Sequence, residues 1–268
     1  MVHQTRRGKA IQRLEKAKKE DHQALTAYYQ LYQDLLQIQE ETELGISTSL
    51  EMVDEAIFSE RMRAGLVQLS FDHLCIDANS FRVVVQKILI LLLAHQDENV
   101  DIILPDEEAL ITKARERFLH PPTTGESDLL ELAIDQASMP YLEHTASQVM
   151  SHMDGSIWQK GYCPACGGES NFAYLKADDG SRRLVCSRCR YEWRYKRTGC
   201  PFCDNSDPKT LRYYPAGEKK AYRLYVCDSC SRYLKAIDQR IAGSSIDLIA
   251  EPILTWSLDK AAREKGYH

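Results

Sequence analysis

Apolar residues recur with a helical period through roughly the first 150 positions, and the pattern changes beyond them. Between Lys9 and Glu41, Ile11, Leu14, Leu25, Tyr28, Tyr32 and Leu35 fall three and four apart, which places them on one helical face. The charged run KKEDH at 18–22 interrupts them, leaving one long or two short amphipathic helices. Thr48 and Glu51 read as a capping box that opens a helix through Val53, Ala56 and Ile57. A buried helix is expected over Asn79 to His95. Its apolar stretch VVVQKILILLLA contains Gln86 and Lys87 and falls short of the ~20 residues of a membrane span. Pro105, followed by Asp106, Glu107 and Glu108, starts a helix that runs to Leu119, because proline suits a first turn and acids suit its positive dipole end. HPPTTGES at 120–127 reads as a loop. Two helices are expected after it, Asp128 to Ala137 and Pro140 to about Met153.

After Gly155 the period shortens to runs of aromatic and β-branched residues separated by turns. FAYLKADDGSRRLVC, from Phe172 to Cys186, reads as a hairpin around Asp178, Asp179 and Gly180. LRYYPAGEKKAYRLYVC, from Leu211 to Cys227, repeats the plan around Pro215 to Lys219. Ser244 to Gly266 returns to a helical pattern, with Pro252 near a start and Gly266 near an end.

Cysteine usage gives these strands a chemistry. Eight of the nine cysteines form four CxxC pairs: Cys163 and Cys166, Cys186 and Cys189, Cys200 and Cys203, Cys227 and Cys230. The sequence thus reads knuckle, hairpin, knuckle, twice over, with 19 residues between the first two pairs and 23 between the last two. Four thiolates can then converge on one cation about 2.3 Å from each sulfur, as in rubredoxin and zinc-ribbon modules. The repeat favours sequential pairing. The alternative joins the second and third knuckles across RYEWRYKRTG and leaves the outer two for the other site. Both iron and zinc accept tetrahedral sulfur, so spacing does not choose between them.

The expected architecture is α plus small β: an all-helical N-terminal domain at 1–155, rubredoxin-like four-cysteine modules at 156–197 and 198–240, and a C-terminal helical segment at 241–268. Each module has about 40 residues, near the size at which an apolar core alone rarely suffices, so bound metal must supply much of the folding energy. Disulfides would need an oxidising compartment. The opening MVHQTRRGKAIQRLEKAKKE has a twin arginine at Arg6 and Arg7 but no apolar segment after it, so a cytoplasmic protein with reduced thiols and no membrane anchor is expected.

Charge is distributed unevenly. Residues 1–150 carry 14 Lys and Arg against 25 Asp and Glu, whereas 151–268 carry 20 against 14. A basic half is the footprint of a nucleic-acid binder, but each four-thiolate site with a divalent ion adds a net charge of about -2. Two filled sites bring that half from +6 to about +2, and nucleic acid is not expected as a partner. The densest basic run, Arg182, Arg183, Arg188, Arg190, Arg194, Lys196 and Arg197, reads as a solvated face countering the thiolates, with a docking surface for an acidic partner as the functional alternative. Cys75 reads as a small buried hydrophobe, Trp158, Trp193 and Trp256 as packing residues, and Tyr233, Leu234 and Lys235 as a strand in the core. There is no phosphate-binding glycine loop, nucleophile elbow or HExxH, and a four-cysteine site leaves no open coordination position, so no enzyme activity is expected.

From Gly161 to Tyr267 the chain resembles the formate dehydrogenase accessory protein family, FdhE. GYCPACG at 161–167, LVCSRCRYEW at 184–193, CPFC at 200–203, CDSCSRYLK at 227–235 and LDKAAREKGY at 258–267 carry the resemblance. It implies an accessory, chaperone-like role in maturing a molybdenum- or tungsten-dependent formate dehydrogenase through binding of its catalytic subunit. It also implies iron at Cys163, Cys166, Cys186 and Cys189 and at Cys200, Cys203, Cys227 and Cys230. A rubredoxin-type electron or redox relay and a zinc-ribbon nucleic-acid binder are the rival readings. In one respect the chain departs from the pattern. Glycine follows the first knuckle as Gly167, but Arg190, Asp204 and Ser231 follow the others, which opens the question of their turn geometry.

Overall fold

A computed structural model describes residues 5–20, 25–47, 54–96, 103–121, 128–151, 157–243 and 246–268. The capping box expected at Thr48 and Glu51 and most of the loop at 120–127 lie outside them. The chain divides into two compact units, residues 1–50 with 69–145 and residues 51–68 with 146–268.

The first unit is helical. The amphipathic stretch near the start forms two helices, α1 (Arg6–Glu20) and α2 (Thr26–Leu44), packed on each other. α3 (Glu55–Arg63) belongs to the second unit. α4 (Ala78–Ala94) packs between α2 and α5 (Glu107–Leu119), with Phe81, Val85 and Ile88 fully buried. Asp77 and Asp106 cap α4 and α5 by accepting from the Ser80 and Ala109 amides at 2.8 Å, so acidic residues satisfy the orphan donors where the sequence placed the starts. Arg7 of α1 is buried and salt-bridges Glu43 and, at 2.8 Å, Glu143.

The two helices expected on either side of Pro140 are one continuous helix, α6 (Leu129–Met150). Proline has no N–H to offer the carbonyl four residues back, which should break the helix there. In the structure that carbonyl, on Gln136, accepts instead from the buried Gln39 side chain of α2 at 3.0 Å. A tertiary contact thus supplies the missing donor, and α6 continues.

The second unit is built on one six-stranded sheet. β1 (Ser170–Leu175), β2 (Arg182–Cys186) and β3 (Glu192–Tyr195) form one antiparallel ribbon, and β4 (Leu211–Ala216), β5 (Tyr222–Cys227) and β6 (Arg232–Asp238) form another. Both expected hairpins are present, and each ribbon gains a third strand after its last knuckle. The ribbons are fused. β1 pairs with β6 in parallel, Phe172 opposite Lys235 through Leu175 opposite Asp238, giving the order β3-β2-β1-β6-β5-β4. Phe172, Tyr174 and Val185 of the first ribbon pack with Ile237 of the second.

Helices α7 (Gln239–Ala242), α8 (Ala250–Leu254) and α9 (Trp256–Glu264) close the chain. α9 lies against the second ribbon: Ala262 is buried with Leu224 and Val226, and Leu258 and Tyr267 pack beside them. Residues 51–68, expected in the helical domain, join this unit because the Gln68 amide donates to the Pro164 carbonyl at 3.0 Å and the Tyr162 hydroxyl to the Gly65 carbonyl at 2.8 Å.

Gln39→Leu should leave the Gln136 carbonyl buried without a donor, at a cost of about 1 to 3 kcal/mol, measured as a lower denaturation midpoint of the helical unit. A second expectation concerns Asp238, whose fully buried carboxylate accepts from Arg240 at 2.6 Å and Arg223 at 2.5 Å and is held below the usual carboxylate range, first by the Arg240 hydrogen bond. A depressed folded value means that its stabilisation is complete above the unfolded carboxyl value of ~3.9 and is lost as pH falls through the lower folded value. The stability difference between the native protein and Asp238→Asn should therefore be greatest near neutrality and shrink in acid, as read from denaturant midpoints across pH.

Candidate metal centres

The four knuckles share one backbone design. In each of the first three, the leading cysteine's amide donates to the carbonyl five residues on: Cys163 to Gly168 at 2.8 Å, Cys186 to Tyr191 at 3.0 Å and Cys200 to Asn205 at 2.8 Å. In the fourth, Cys227 and Arg232 are cross-strand partners in the β5–β6 ladder, the same separation along the chain. The residue after the second cysteine is left-handed every time, with φ of 75° at Gly167, 52° at Arg190, 59° at Asp204 and 55° at Ser231. The turn therefore survives without glycine at three positions, each accepting a strain of about 1 to 2 kcal/mol. Gly168 is required for a different reason: a Cβ there would lie 3.0 Å from the Cys186 sulfur and 2.9 Å from the Arg188 side chain.

Folding brings the knuckles together in sequence order. Cys163, Cys166, Cys186 and Cys189 form one group, Cys200, Cys203, Cys227 and Cys230 the other, and within each group all sulfurs lie inside 4.8 Å. None of the eight is joined in a disulfide. In the first group the 163–189, 166–186 and 166–189 sulfur pairs are 3.5 Å apart, and in the second the 200–230 and 203–227 pairs are 3.6 and 3.7 Å apart. Four sulfurs at ~2.3 Å from one tetrahedral ion would be about 3.8 Å from each other, so these groups could hold an ion with little movement. Soft sulfur donors and tetrahedral spacing suit iron or zinc, and the open position needed for substrate chemistry has no donor left to vacate it.

The surroundings differ. Every cysteine of the first group is buried, whereas in the second Cys203 is exposed and Cys230 half-buried. Burial pushes the Cys163 and Cys189 thiols well up, while hydrogen bonds from Cys163, Cys186 and Cys189 pull Cys166 well down. In the second group burial pushes Cys200 up to about 11 and raises Cys230 further. At Cys227 burial also opposes ionisation, but the Asn205 amide and the Cys230 and Ser229 backbone amides outweigh it and bring the thiol to about 7. Each group thus has one thiol inclined to ionise beside two whose ionisation burial opposes.

Several residues outside the knuckles shape the groups. Trp193 donates to the Lys160 carbonyl at 3.0 Å and Trp158 to the Tyr162 carbonyl at 2.8 Å, so two buried indoles fix the approach to the first knuckle. At Gly161 a Cβ would fall 1.8 Å from the Pro201 carbonyl oxygen, so the glycine before the first knuckle lets it press against the third. Tyr233 and Lys235 both reach Asp259 of α9, at 2.8 and 2.6 Å, and Tyr267 donates to Asp228 at 2.6 Å, joining the fourth knuckle to the C-terminal helix. Sequence reasoning missed Asn205, which donates to the Cys227 sulfur at 3.6 Å, to Thr210 at 2.7 Å and to Ser229 at 3.1 Å. Its position two residues after Cys203, in a run rich in turn formers, was the available signal.

Two expectations are corrected. Cys75 is exposed, because it ends the 3-10 helix Phe71–Leu74 in a left-handed conformation (φ 47°) that turns it out of the core. Nor is the basic run one solvated face. Strand alternation buries Arg182, while Lys196 pairs with Asp204 at 2.5 Å and Arg197 donates to the Gly180 carbonyl.

A helical region followed by a fused double ribbon bearing two four-cysteine groups defines a metal-binding α plus β protein. No family model matches the chain. It is 32% identical over 143 residues to a protein FdhE homolog of Aquifex aeolicus, covering 52% of this chain and 50% of that one, and 30% identical over 162 residues to the homolog of Pseudomonas aeruginosa, covering 54% and 50%. The chain spans about half the length of these curated relatives. The crystal structure of the FdhE protein from Pseudomonas aeruginosa has the same fold, with a TM-score of 0.62 and 21% identity over 98% of this chain and 91% of that one. These likenesses are to FdhE proteins over about half of each curated relative, and to the fold of one of them over nearly the whole of this chain. Among the described residues no helix is long and apolar enough to cross a membrane.

The unequal exposure sets an order of metal loss. From protein loaded with two zinc ions, a chelator should remove one equivalent quickly, from the second group, and the other slowly, as followed with a chromogenic chelator. Cys203→Ser should abolish the fast phase and Cys163→Ser the slow one; equal rates at both groups would contradict this order.

Proposed function

We propose that the protein is an accessory factor for a molybdenum- or tungsten-dependent formate dehydrogenase and acts in the cytoplasm by binding the catalytic subunit during maturation. In this reading it is not a catalyst. Its eight knuckle cysteines ligate two ions of iron or zinc, one per group. The observation that carries the reading is the mutual contact of the segments that resemble FdhE: the strand after the fourth knuckle meets LDK of α9 through Asp259, and the glycine before the first knuckle seats on the third. Those segments thus form one assembly in space as well as an ordered series in sequence.

Exposure at the second group favours a supplementary role. With Cys203 at the surface, an iron there would lie close to solvent and to a docked partner, as electron or redox relay requires. Nucleic-acid binding has less support, since Arg182 is buried and Arg232 and Arg212 are engaged by Glu169 and Asp228.

A tagged copy expressed in formate-grown cells should recover the formate dehydrogenase catalytic subunit, and deleting the gene should abolish most formate dehydrogenase activity. Recovery of no catalytic subunit together with unchanged activity in the deletion strain would refute the accessory role. Metal analysis of protein purified without oxygen from its own host separates the relay from a purely structural pair of sites. Iron that cycles under mild reductants supports the relay, and zinc ends it.

A further inference from the structure

Beside the second cysteine group lies a cavity of about 290 Å³, near the lower end of the range for small-ligand sites. Phe202, Leu211, Tyr213, Tyr225 and Val226 give it apolar and aromatic walls, and Cys200 and Cys227 line it on the side of the metal group. Its unusual member is Arg182, the first residue of β2, which is only 2% exposed and yet lines the cavity.

A buried guanidinium normally has a carboxylate partner, because desolvating an unpaired charge is costly. Two other cations of this cavity, Arg232 and Arg212, follow the rule, and the third, Arg197, donates to the Gly180 carbonyl. Arg232 forks onto both oxygens of Glu169 at 2.7 and 2.6 Å, and Arg212 pairs with Asp228 at 2.7 Å. Arg182 has no carboxylate partner among the described residues; the ionisable groups that act on its charge are Tyr225, Tyr195 and Cys200. It donates from Nη2 to the Gly199 carbonyl at 2.8 Å and lies 5.2 and 5.7 Å from the Tyr195 and Tyr225 ring centres. Its Nε is buried without a hydrogen-bond partner, and Nη1 makes no hydrogen bond among the described residues. Tyrosine faces and a neutral carbonyl compensate a guanidinium only in part. Thiolates of a filled second group would offset part of this charge through space but give Nε and Nη1 no hydrogen bond, so a hydrogen-bonding anion is the missing component, and aromatic walls select one mounted on an apolar body.

We propose that this cavity binds a carboxylate carried on a single aromatic or branched apolar group, with Arg182 holding the carboxylate and Phe202, Tyr213 and Tyr225 enclosing the apolar part. A volume near 290 Å³ admits one such group and little more. The chemistry is shared by a free small organic acid and by the C-terminal residue of a polypeptide. The site is independent of which enzyme the protein serves, so failure of the accessory role would leave it standing.

The test titrates metal-loaded protein with phenylacetate, with an N-acetylated pentapeptide ending in phenylalanine, and with the same peptide as its C-terminal amide, followed by calorimetry and amide chemical shifts. At least one carboxylate probe should saturate at one per chain, and the amide should bind about tenfold more weakly or worse. Saturation by phenylacetate alone identifies a small acid as the occupant, and saturation by the acid peptide alone identifies a chain end. Arg182→Met should weaken binding by a similar factor. Because it alters a buried position, Ser206→Trp serves as the second variant: Ser206 is exposed on the cavity rim, so it should block binding at an unchanged melting temperature. The proposal is overturned if neither carboxylate saturates in the millimolar range, if acid and amide bind alike, or if both variants bind as the native protein does.

Discussion

Four sulfurs held within 4.8 Å of one another, the nearest pairs 3.5 to 3.7 Å apart, cannot all be thiolates unless a cation sits among them. Like charges that close in a low dielectric oppose one another's ionisation, and burial adds to the effect at Cys163, Cys189, Cys200 and Cys230. With a cation, the same arrangement becomes a strong tetrahedral site, and its binding energy is released into folding. The rest of the second unit can be read as the means of holding that geometry. Left-handed residues close each knuckle, a backbone bond across five residues tightens it, and the ladders of β2 and β5 end on Cys186 and Cys227 at the mouths of the two groups.

The two cysteine groups were legible in the sequence because a CxxC spacing encodes its own local geometry, and because the hairpin between knuckles repeats. Sequential pairing followed from that repeat, and folding produces it. Helices α1, α2, α4 and α5 were equally legible, since their apolar period, and the acidic start of α5, are local properties. What could not be read depends on residues distant in the chain. Pro140 carries a breaker signal that only Gln39, about a hundred positions earlier, cancels. The rubredoxin-like turn favours glycine after each knuckle, so the chain's departure left the turn geometry at Arg190, Asp204 and Ser231 open, and the structure gives all three the same left-handed φ. Arg182 looked like part of a basic surface until the pairing of β2 with β1 and β3 turned it inward. Fusion of the two ribbons has no local signature, because a parallel pair is specified only by the faces it buries.

The two groups share a design and differ in setting. The first is enclosed, with Trp158 and Trp193 binding carbonyls on either side of its first knuckle. The second is open at Cys203 and is steadied by polar contacts from Asn205 and from Tyr267 through Asp228. A duplicated module can therefore carry one site suited to stabilising the fold and one suited to exchange with its surroundings.

The seam between β1 and β6 also has a consequence for how the chain is made. Phe172 and its partner Lys235 are 63 positions apart, so at roughly 5 to 20 residues per second β1 leaves the ribosome about 3 to 13 seconds before the strand that covers it. During that interval the first ribbon can close its hairpin and fill its four-cysteine group, while one flank of β1 presents unpaired amides and carbonyls to any strand nearby. The seam is therefore the last long-range junction of the sheet to form, and the nascent chain is most open to wrong pairing just before β6 emerges.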